Sequence, residues 1–279
     1  MASIMDPSYD REGPEPVQHK LLICAAPRTS SNMLARALMA AGIGLPAEYF
    51  YPDFCLPAAE RWGCPAPSHD HTTTAAYLET LQARRSVNGV FASKLQFWQF
   101  QRFLTNPVGQ SLFEGAKVVF LLREDIAAQA ASFAVALETG TWETETDVEP
   151  LPDDAPMRED LVHRSSEDML HEESSWRRFF LLAGISPLIL PDRVVNRDTR
   201  RAVSDIADLL GVEADETGLT EYLDGAKRYG TYSGRKDRYK AYSADVFGNR
   251  AFEYEEYNFK TRLKRVVGKK VSGFLKRSG

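Results

Sequence analysis

The chain has 279 residues, a formal net charge of −5 and 43% hydrophobic residues. This length suffices for one large α/β domain or two small ones with a buried core. No apolar run reaches the length of about 18 residues that a membrane helix needs, and the polar first 18 residues lack the apolar segment of a signal peptide. The three cysteines are an odd number without zinc-site spacing, which fits a reducing compartment. We therefore expect a cytoplasmic protein.

The charges are unevenly distributed along the chain. Residues 258–279 contain eight Lys and Arg residues and no acid, whereas residues 138–160 contain nine acids and one base. We predict a flexible lead at 1–18, one domain at 19–257 with a mobile acidic insertion at 138–160, and a basic tail at 258–279. The tail is either a solvated helix end or a weak contact for anionic membrane lipid.

Short apolar runs alternate with helical patterns along most of the chain. The run from Lys20 to Ala26 predicts a strand buried on both faces, and a polar turn at 27–32 leads into a helix from Met33 to Ala41. The later elements are predicted as a helix at 74–85, strands at 89–95 and 117–122, helices at 125–137 and 166–183, a strand at 188–190 and a helix at 197–210. This alternation predicts an α/β fold with three layers, a central, mainly parallel sheet between helices.

The polar turn after the first strand predicts an anion site. The first N–H groups of a helix lack internal partners, and the helix dipole makes that end partly positive. Arg28 adds a planar guanidinium group, and the next three residues, Thr29, Ser30 and Ser31, add hydroxyls. The alternative is that one hydroxyl only caps the helix. The turn lacks the glycines and the lysine of the ATPase phosphate loop, which disfavours a magnesium-dependent nucleotidase.

Two segments resemble the signatures of sulfotransferases. Pro27-Arg28-Thr29-Ser30-Ser31 resembles the Pro-(Arg/Lys)-Ser-Gly-(Ser/Thr) loop that binds the 5′-phosphosulfate of 3′-phosphoadenosine 5′-phosphosulfate (PAPS). The segment from Leu121 to Phe133 resembles a second signature, in which an arginine at a strand end and a serine in the next helix bind the 3′-phosphate. These residues would be Arg123 and Ser132.

The sequence is more specifically similar to the bacterial trehalose sulfotransferase family, which includes related sugar and glycolipid enzymes. The similarity extends over most of residues 20–240. The matching features are Gly44–Phe50, Ser93–Leu95, the nine-residue spacing from Arg123 to Ser132 with Gln129 inside it, and Glu172–Phe180.

This resemblance implies a P-loop-like sulfotransferase fold, PAPS as donor co-substrate, no metal, a carbohydrate or glycolipid acceptor and a homodimer; we expect no nucleic-acid partner. It makes Glu48 the general base and Arg28 the group that stabilises the leaving phosphate. Residues 229–239 would be a loop over the donor. The predicted donor-binding set is Arg28, Thr29, Ser30, Ser31, Asn32, Arg123 and Ser132.

Three departures from the family pattern keep alternatives open. Ser30 replaces the loop glycine, Asn32 replaces a threonine, and Leu45 replaces a second glutamate that lies three residues before the base in the trehalose enzyme. Trehalose itself is therefore a doubtful acceptor. The alternatives to a sulfotransferase are a sulfotransferase-like protein that binds a nucleotide or sugar without turnover, and a small-molecule kinase.

The surroundings of the predicted base suggest further roles. Burial among Tyr49, Phe50 and Tyr51 would raise the pKa of Glu48, and these aromatic residues suit stacking on a sugar ring, with Tyr49 and Phe50 as the predicted acceptor-binding pair. Alternatively, Glu48 is a surface residue in an aromatic turn. Lys94 ends a predicted strand, where open α/β sheets bind ligands, and would assist the transferring group unless it is an ordinary surface lysine. His69-Asp70-His71 has no third ligand in sight, so we predict no metal site.

Overall fold

The computed structural model describes residues 4, 6–13, 16–104, 107–140, 142, 156–225 and 237–245. The chain divides into two compact units, one made of Met1–Gln129 and Glu167–Tyr229 and the other of Ala130–Ser166 and Gly230–Gly279. The predicted basic tail lies outside the described residues, as do most of the acidic insertion and residues 229–236 of the loop predicted to cover the donor.

The first unit is built on a four-stranded parallel sheet. Its strands lie in the order β2-β1-β3-β4, and every neighbouring pair is parallel. The strands are β1 (His19–Ala25), β2 (Val90–Leu95), β3 (Lys117–Leu122) and β4 (Leu188–Pro191). The order confirms the predicted parallel sheet.

Helices cover both faces of this sheet. Because successive side chains of a strand point to opposite faces, Leu21 and Ile23 of β1 pack on one side while Leu22 and Cys24 pack on the other. The first side carries α1 (Ser31–Ala40), α8 (Asp192–Arg197), α9 (Thr199–Leu210) and α10 (Glu216–Gly225). The second carries α2 (Pro52–Trp62), α3 (His71–Arg85), α4 (Phe97–Leu104), α5 (Pro107–Ser111) and the end of α7 (Glu159–Ala183). The predicted three-layer α/β/α fold is therefore confirmed.

The second unit has a small apolar cluster of its own. Residues of α6 (Ile126–Thr139) pack there with Val162 and Tyr239, and residues 237–245 are helical. The Tyr239 hydroxyl donates to Oε2 of Glu138 at 2.9 Å and accepts from the backbone N–H of Arg158 at 2.9 Å. These bonds satisfy a buried phenol within the cluster. Across the described ranges, no helix combines the length and the apolar composition that crossing a bilayer requires.

Buried Arg85 binds part of the N-terminal lead that the sequence predicts to be flexible. Its guanidinium group donates to the carbonyls of Ile4 and Asp6, at 3.2 and 3.1 Å, and pairs with Asp10 at 2.7 Å. Asp10 also accepts from Nε of Arg61 at 2.7 Å. The described residues of the lead are thus attached to α2 and α3.

Candidate active site

The predicted site residues of the first unit lie at one edge of the sheet. Parallel strands all end at the same edge, so the segments that follow β1, β2, β3 and β4 meet there. The chain passes from β1 to β2 on one side of β1 and then to β3 on the other. The topological switch point therefore lies between the ends of β1 and β3, where open α/β sheets bind ligands. Arg28 follows β1 and Arg123 follows β3, so both predicted anion-binding arginines flank this point.

Two hydroxyls of the turn after β1, those of Thr29 and Ser30, do not cap α1. Thr29 donates from Oγ1 to the carbonyl of Ala26 at 3.0 Å, and Ser30 donates from Oγ to Oδ1 of Asn196 at 2.9 Å. Ser30 is the N-cap residue of α1 but makes no side-chain capping bond. The capping alternative is therefore wrong for Thr29 and Ser30. Both hydroxyl protons are directed to protein acceptors, and the predicted role of these hydroxyls as donors to a bound anion stays a prediction.

Two residues of this turn have left-handed backbone conformations. Arg28 has φ of 64° and Ser30 has φ of 63°. Such a conformation costs a non-glycine residue about 1 kcal/mol or more, whereas glycine adopts it freely. In the sulfotransferase loops that this turn resembles, glycine occupies the position of Ser30. Ser30 therefore adopts the left-handed backbone that glycine would adopt there.

The second predicted anion residue is tied directly to this turn. Nη1 of Arg123 donates to the carbonyl of Arg28 at 2.9 Å, and Nε2 of Gln129 donates to the carbonyl of Pro27 at 2.7 Å. Burial first, and then the positive charge of Arg123, lower the pKa of Arg28. Both guanidinium groups stay charged at any ordinary pH, and each is suited to bind phosphate oxygens.

Ser132 lies in the second unit and is buried. Its predicted contact with the 3′-phosphate stays a prediction.

Helix α8 contributes two side chains that the sequence analysis missed. Oδ2 of Asp192 lies 3.6 Å from Nε of Arg123 and accepts from Nδ2 of Asn196 at 3.4 Å. Asn196 in turn accepts from Ser30. The spacing of four residues places Asp192 and Asn196 on one helix face directly after a strand, which is the signal that points to them.

A backbone bridge places Glu48 beside Lys94. Ala47 pairs with Ser93 of β2 as an isolated parallel bridge, and the backbone N–H of Lys94 donates to the carbonyl of Ala47 at 2.9 Å. The next residue, Glu48, therefore lies beside the end of β2, where its Oε1 is 2.8 Å from Nζ of Lys94. Lys94 is only 6% exposed and also donates to Oδ1 of Asn32 in α1. The surface alternatives for Glu48 and Lys94 are both wrong.

The surroundings of Glu48 lower its pKa. Burial alone would raise the pKa, but the charge of Lys94 and hydrogen bonds from Lys94, Gln99 and Gln96 outweigh burial and hold it below the ordinary glutamate value. Nε2 of Gln96 donates to Oε1 at 3.0 Å, and Nε2 of Gln99 donates to Oε2 at 2.6 Å. The predicted rise in pKa is therefore wrong in direction, because the sequence does not reveal the buried lysine. Glu48 is an ionised carboxylate at neutral pH.

The two aromatic residues predicted to bind the acceptor are part of the hydrophobic core. Tyr49 is 0% exposed and Phe50 is 1% exposed. Tyr49 donates its hydroxyl to the carbonyl of Leu45, and Phe50 packs edge-to-face against Phe100 at 5.2 Å between ring centroids. Neither ring has an exposed face for a sugar, and we correct that expectation.

A second buried carboxylate supports the helix that carries Gln99. Glu172 accepts from the backbone N–H groups of Phe97 and Trp98, both at 2.8 Å, at the start of α4. Burial is the main cause that raises the pKa of Glu172 to about 7. Because orphan N–H groups at a helix start favour a carboxylate, Glu172 fixes the end of α4 that faces Glu48.

Within the described ranges, no group of three or more His, Cys, Asp and Glu residues could hold a metal ion. Asp70, from the only metal-like motif that the sequence analysis considered, accepts instead from the backbone N–H groups of Thr72 and Thr73 as the N-cap of α3.

The chain matches a family of known proteins. A family model described as Stf0 sulphotransferase matches residues 20–240. Among solved structures, the sulfotransferase domain from the curacin biosynthetic pathway is 15% identical, with 80% of this chain and 83% of that chain covered and a TM-score of 0.42. The sulfotransferase domain from the Synechococcus PCC 7002 olefin synthase is 14% identical, with 84% and 96% covered and a TM-score of 0.38. No curated protein matches the sequence.

Proposed function

Because the chain belongs to the Stf0 sulphotransferase family, we propose that it transfers a sulfuryl group from PAPS to a hydroxyl group of a carbohydrate or glycolipid. The observation that carries the proposal is the bond from Arg123 to the backbone of Arg28. It joins the two arginine-bearing segments at the switch point of the sheet, which supports a site for one nucleotide with two separate phosphate groups.

The donor side of the site consists of the turn after β1, the start of α1 and Arg123. Arg28 and the first N–H groups of α1 bind the 5′-phosphosulfate, with Thr29, Ser30, Ser31 and Asn32 along that segment. Arg123 binds the 3′-phosphate. When bound, PAPS supplies an activated sulfuryl group on a phosphate leaving group. Arg28 neutralises negative charge on that phosphate, which is electrostatic catalysis.

Glu48 accepts the proton of the acceptor hydroxyl. Its ionised carboxylate is held by Gln96 and Gln99, so no reorganisation is needed before the proton arrives. Lys94 keeps Glu48 ionised and, through Asn32, joins the base to the helix that begins at the phosphate turn. This shared lysine supports a site in which base and donor are held in fixed relation, as in-line transfer requires.

The test combines ligand binding with chemistry. We expect PAP (3′-phosphoadenosine 5′-phosphate) and PAPS, but not ATP with magnesium, to raise the melting temperature by mass action. We expect labelled PAPS to transfer sulfate to at least one member of a panel of glycosides and glycolipids. Stabilisation by PAP without transfer to any acceptor would support the non-catalytic alternative, and stabilisation only by ATP with magnesium would support a kinase.

The base assignment is tested with Glu48→Gln. We expect the rate of transfer to fall by roughly a hundredfold or more, while the Kd for PAP stays at the wild-type value because Glu48 does not contact the donor phosphates. Glu79→Gln, an exposed glutamate of α3, is the matched control and should change neither quantity. Wild-type turnover in Glu48→Gln would exclude Glu48 as the base.

A further inference from the structure

Two aromatic side chains next to Glu48 lie outside the core. Trp98 in α4 is 44% exposed, and Tyr51, which immediately precedes α2, is partly exposed. Their rings pack edge-to-face, with centroids 6.0 Å apart and an interplanar angle of 86°. A large exposed aromatic pair is costly to leave in water, so its position beside an ionised, largely buried carboxylate calls for an explanation.

Hydrogen bonds fix both rings relative to the base. The indole Nε1 of Trp98 donates to Oε1 of Gln96 at 2.7 Å, and Nε2 of the same Gln96 amide donates to Oε1 of Glu48 at 3.0 Å. The backbone N–H of Tyr51 donates to the carbonyl of Glu48 at 3.0 Å. The Trp98 ring is therefore held through Gln96 before a ligand binds, and the main chain of Tyr51 is fixed beside Glu48.

The backbone of Trp98 is also held independently of its ring. Its N–H group donates to Glu172, which anchors the start of α4. A substitution that removes the indole therefore leaves the helix anchor in place, because the anchor uses only the main chain.

The chemistry of the pair suits a saturated sugar ring. A pyranose has hydroxyls around its rim and an apolar C–H face, and the electron-rich face of an aromatic ring attracts C–H groups. Ligand sites of this kind combine apolar aromatic walls with a few placed polar groups, here Glu48 and Gln96. A sugar stacked on the rings would present a rim hydroxyl toward the carboxylate.

We propose that Tyr51 and Trp98 form the acceptor platform and that its ligand is a pyranoside, one hydroxyl of which reaches Glu48. This inference rests on the proposed function, whose acceptor side it specifies. Of the three aromatic residues that follow Glu48, it keeps Tyr51 and replaces the buried Tyr49 and Phe50 with Trp98, which a ligand can touch.

A binding experiment tests the platform without depending on turnover. Saturation-transfer difference NMR is recorded on the full chain with excess PAP and a panel of methyl pyranosides. We expect saturation of the C–H face of at least one glycoside with the wild type, its loss in Trp98→Ala and its retention in Trp98→Phe. Leu182→Ala, which removes a more exposed apolar side chain from α7, should behave as the wild type. Absence of a signal from every glycoside with the wild type overturns the platform, as does a signal unaffected by Trp98→Ala.

Kinetics separate failure of the platform from failure of the proposed function. For the best glycoside, we expect Trp98→Ala to raise KM by about five- to tenfold, as loss of an aromatic contact implies, with the Kd for PAP nearly unchanged. An unchanged KM beside normal sulfate transfer refutes the platform and leaves the sulfotransferase proposal intact. A wild type that binds neither PAP nor PAPS refutes the proposed function, whatever the NMR shows. Transfer to a phenol such as 4-nitrophenol but to no glycoside also refutes the platform.

Discussion

The hydroxyl of Ser30 donates to Oδ1 of Asn196 at 2.9 Å, and this bond joins the phosphate turn to α8. Asn196 donates to Asp192, which lies beside Arg123. The short helix α8 therefore contacts both arginine-bearing segments. Ser30 holds a left-handed backbone without the freedom of glycine, so Asn196 stabilises a conformation that the serine alone disfavours.

A double-mutant cycle tests this coupling. Ser30→Gly should keep the Kd for PAP within a few-fold of the wild type, because glycine adopts the same backbone with less strain, worth about 1 kcal/mol. Asn196→Ala should weaken PAP binding in the wild type and have a smaller effect in the Ser30→Gly background. Titration calorimetry with PAP measures all four proteins.

Asn88→Gly is the matched control for that cycle, since Asn88 also has a positive φ, of 53°, but precedes β2 at the opposite edge of the sheet. It should change stability and leave PAP binding unchanged. Equal effects of Asn196→Ala in both backgrounds would show that Asn196 does not act through Ser30.

Arg123→Ala should weaken PAP binding more than any loss of stability explains. The substitution removes a cation from the proposed 3′-phosphate site and also the donor to the Arg28 carbonyl. We expect a loss of about 2 kcal/mol, roughly thirtyfold in Kd, as for a charged hydrogen bond. Arg201→Ala, an exposed arginine of α9, controls for net charge. An unchanged Kd in Arg123→Ala would remove Arg123 from the donor site.

Lys94→Met should move the pH dependence of activity. In the wild type, Lys94 helps to hold the pKa of Glu48 below the ordinary value of 4.5, so the acidic limb of kcat/KM should lie below pH 4.5. Without the lysine the pKa of Glu48 rises, and because the base acts only when ionised, the limb should shift to higher pH.

The measured quantity is the pH at which the acidic limb of kcat/KM lies. The maximum value of kcat/KM is not used, because Lys94 also bonds Asn32 and its loss can lower activity by that route. Lys117→Met, an exposed lysine at the start of β3, should leave the limb in place. A limb that stays in place in Lys94→Met would show that the lysine does not set the protonation of the base.

Glu172→Gln should change how stability depends on pH. The folded chain raises the pKa of Glu172 from 4.5 to about 7. Between these values the folded state binds more protons than the unfolded state, so the free energy of unfolding falls as pH rises through this window and stays level above it. The glutamine side chain of the variant does not titrate, so this contribution to the pH dependence is absent.

Urea unfolding at pH 5, 6, 7 and 8 measures this effect as a difference. The stability of the wild type relative to Glu172→Gln should decrease from pH 5 to pH 7. Glu173→Gln, next in the chain and paired with Arg177 on the surface, should show no such trend. A difference that does not vary with pH would contradict the assignment of this proton to Glu172.

The sheet was predictable because its strands are short, continuous apolar runs. The predicted strand at 117–122 matches β3, and β1 differs from its prediction by one residue at each end. Helix α2 was not predicted, because Pro52 and Pro57 suggest a loop. Pro52 occupies the first helical position, where proline is tolerated, and burial of the apolar face of α2 outweighs the cost of Pro57.

The site residues that could be predicted are those whose sequence pattern lies within one short segment. Arg28 and Arg123 each follow an apolar run directly, which places them at a strand end. Asn196 and Gln99 gave no such signal, because their partners, Ser30 and Glu48, are 166 and 51 residues away in the chain. Tyr49 and Phe50 were misassigned because adjacency to Glu48 in sequence does not reveal which way a ring points.

Ala47 pairs with Ser93 of β2, so the position of the next residue, the proposed proton acceptor Glu48, is set by pairing with the sheet. Side chains on the outer surfaces of α2 and α4 can therefore be exchanged during evolution while the carboxylate keeps its place. Under the proposed function, altering those surfaces would change which alcohol is modified while Glu48 and its partners stay in place.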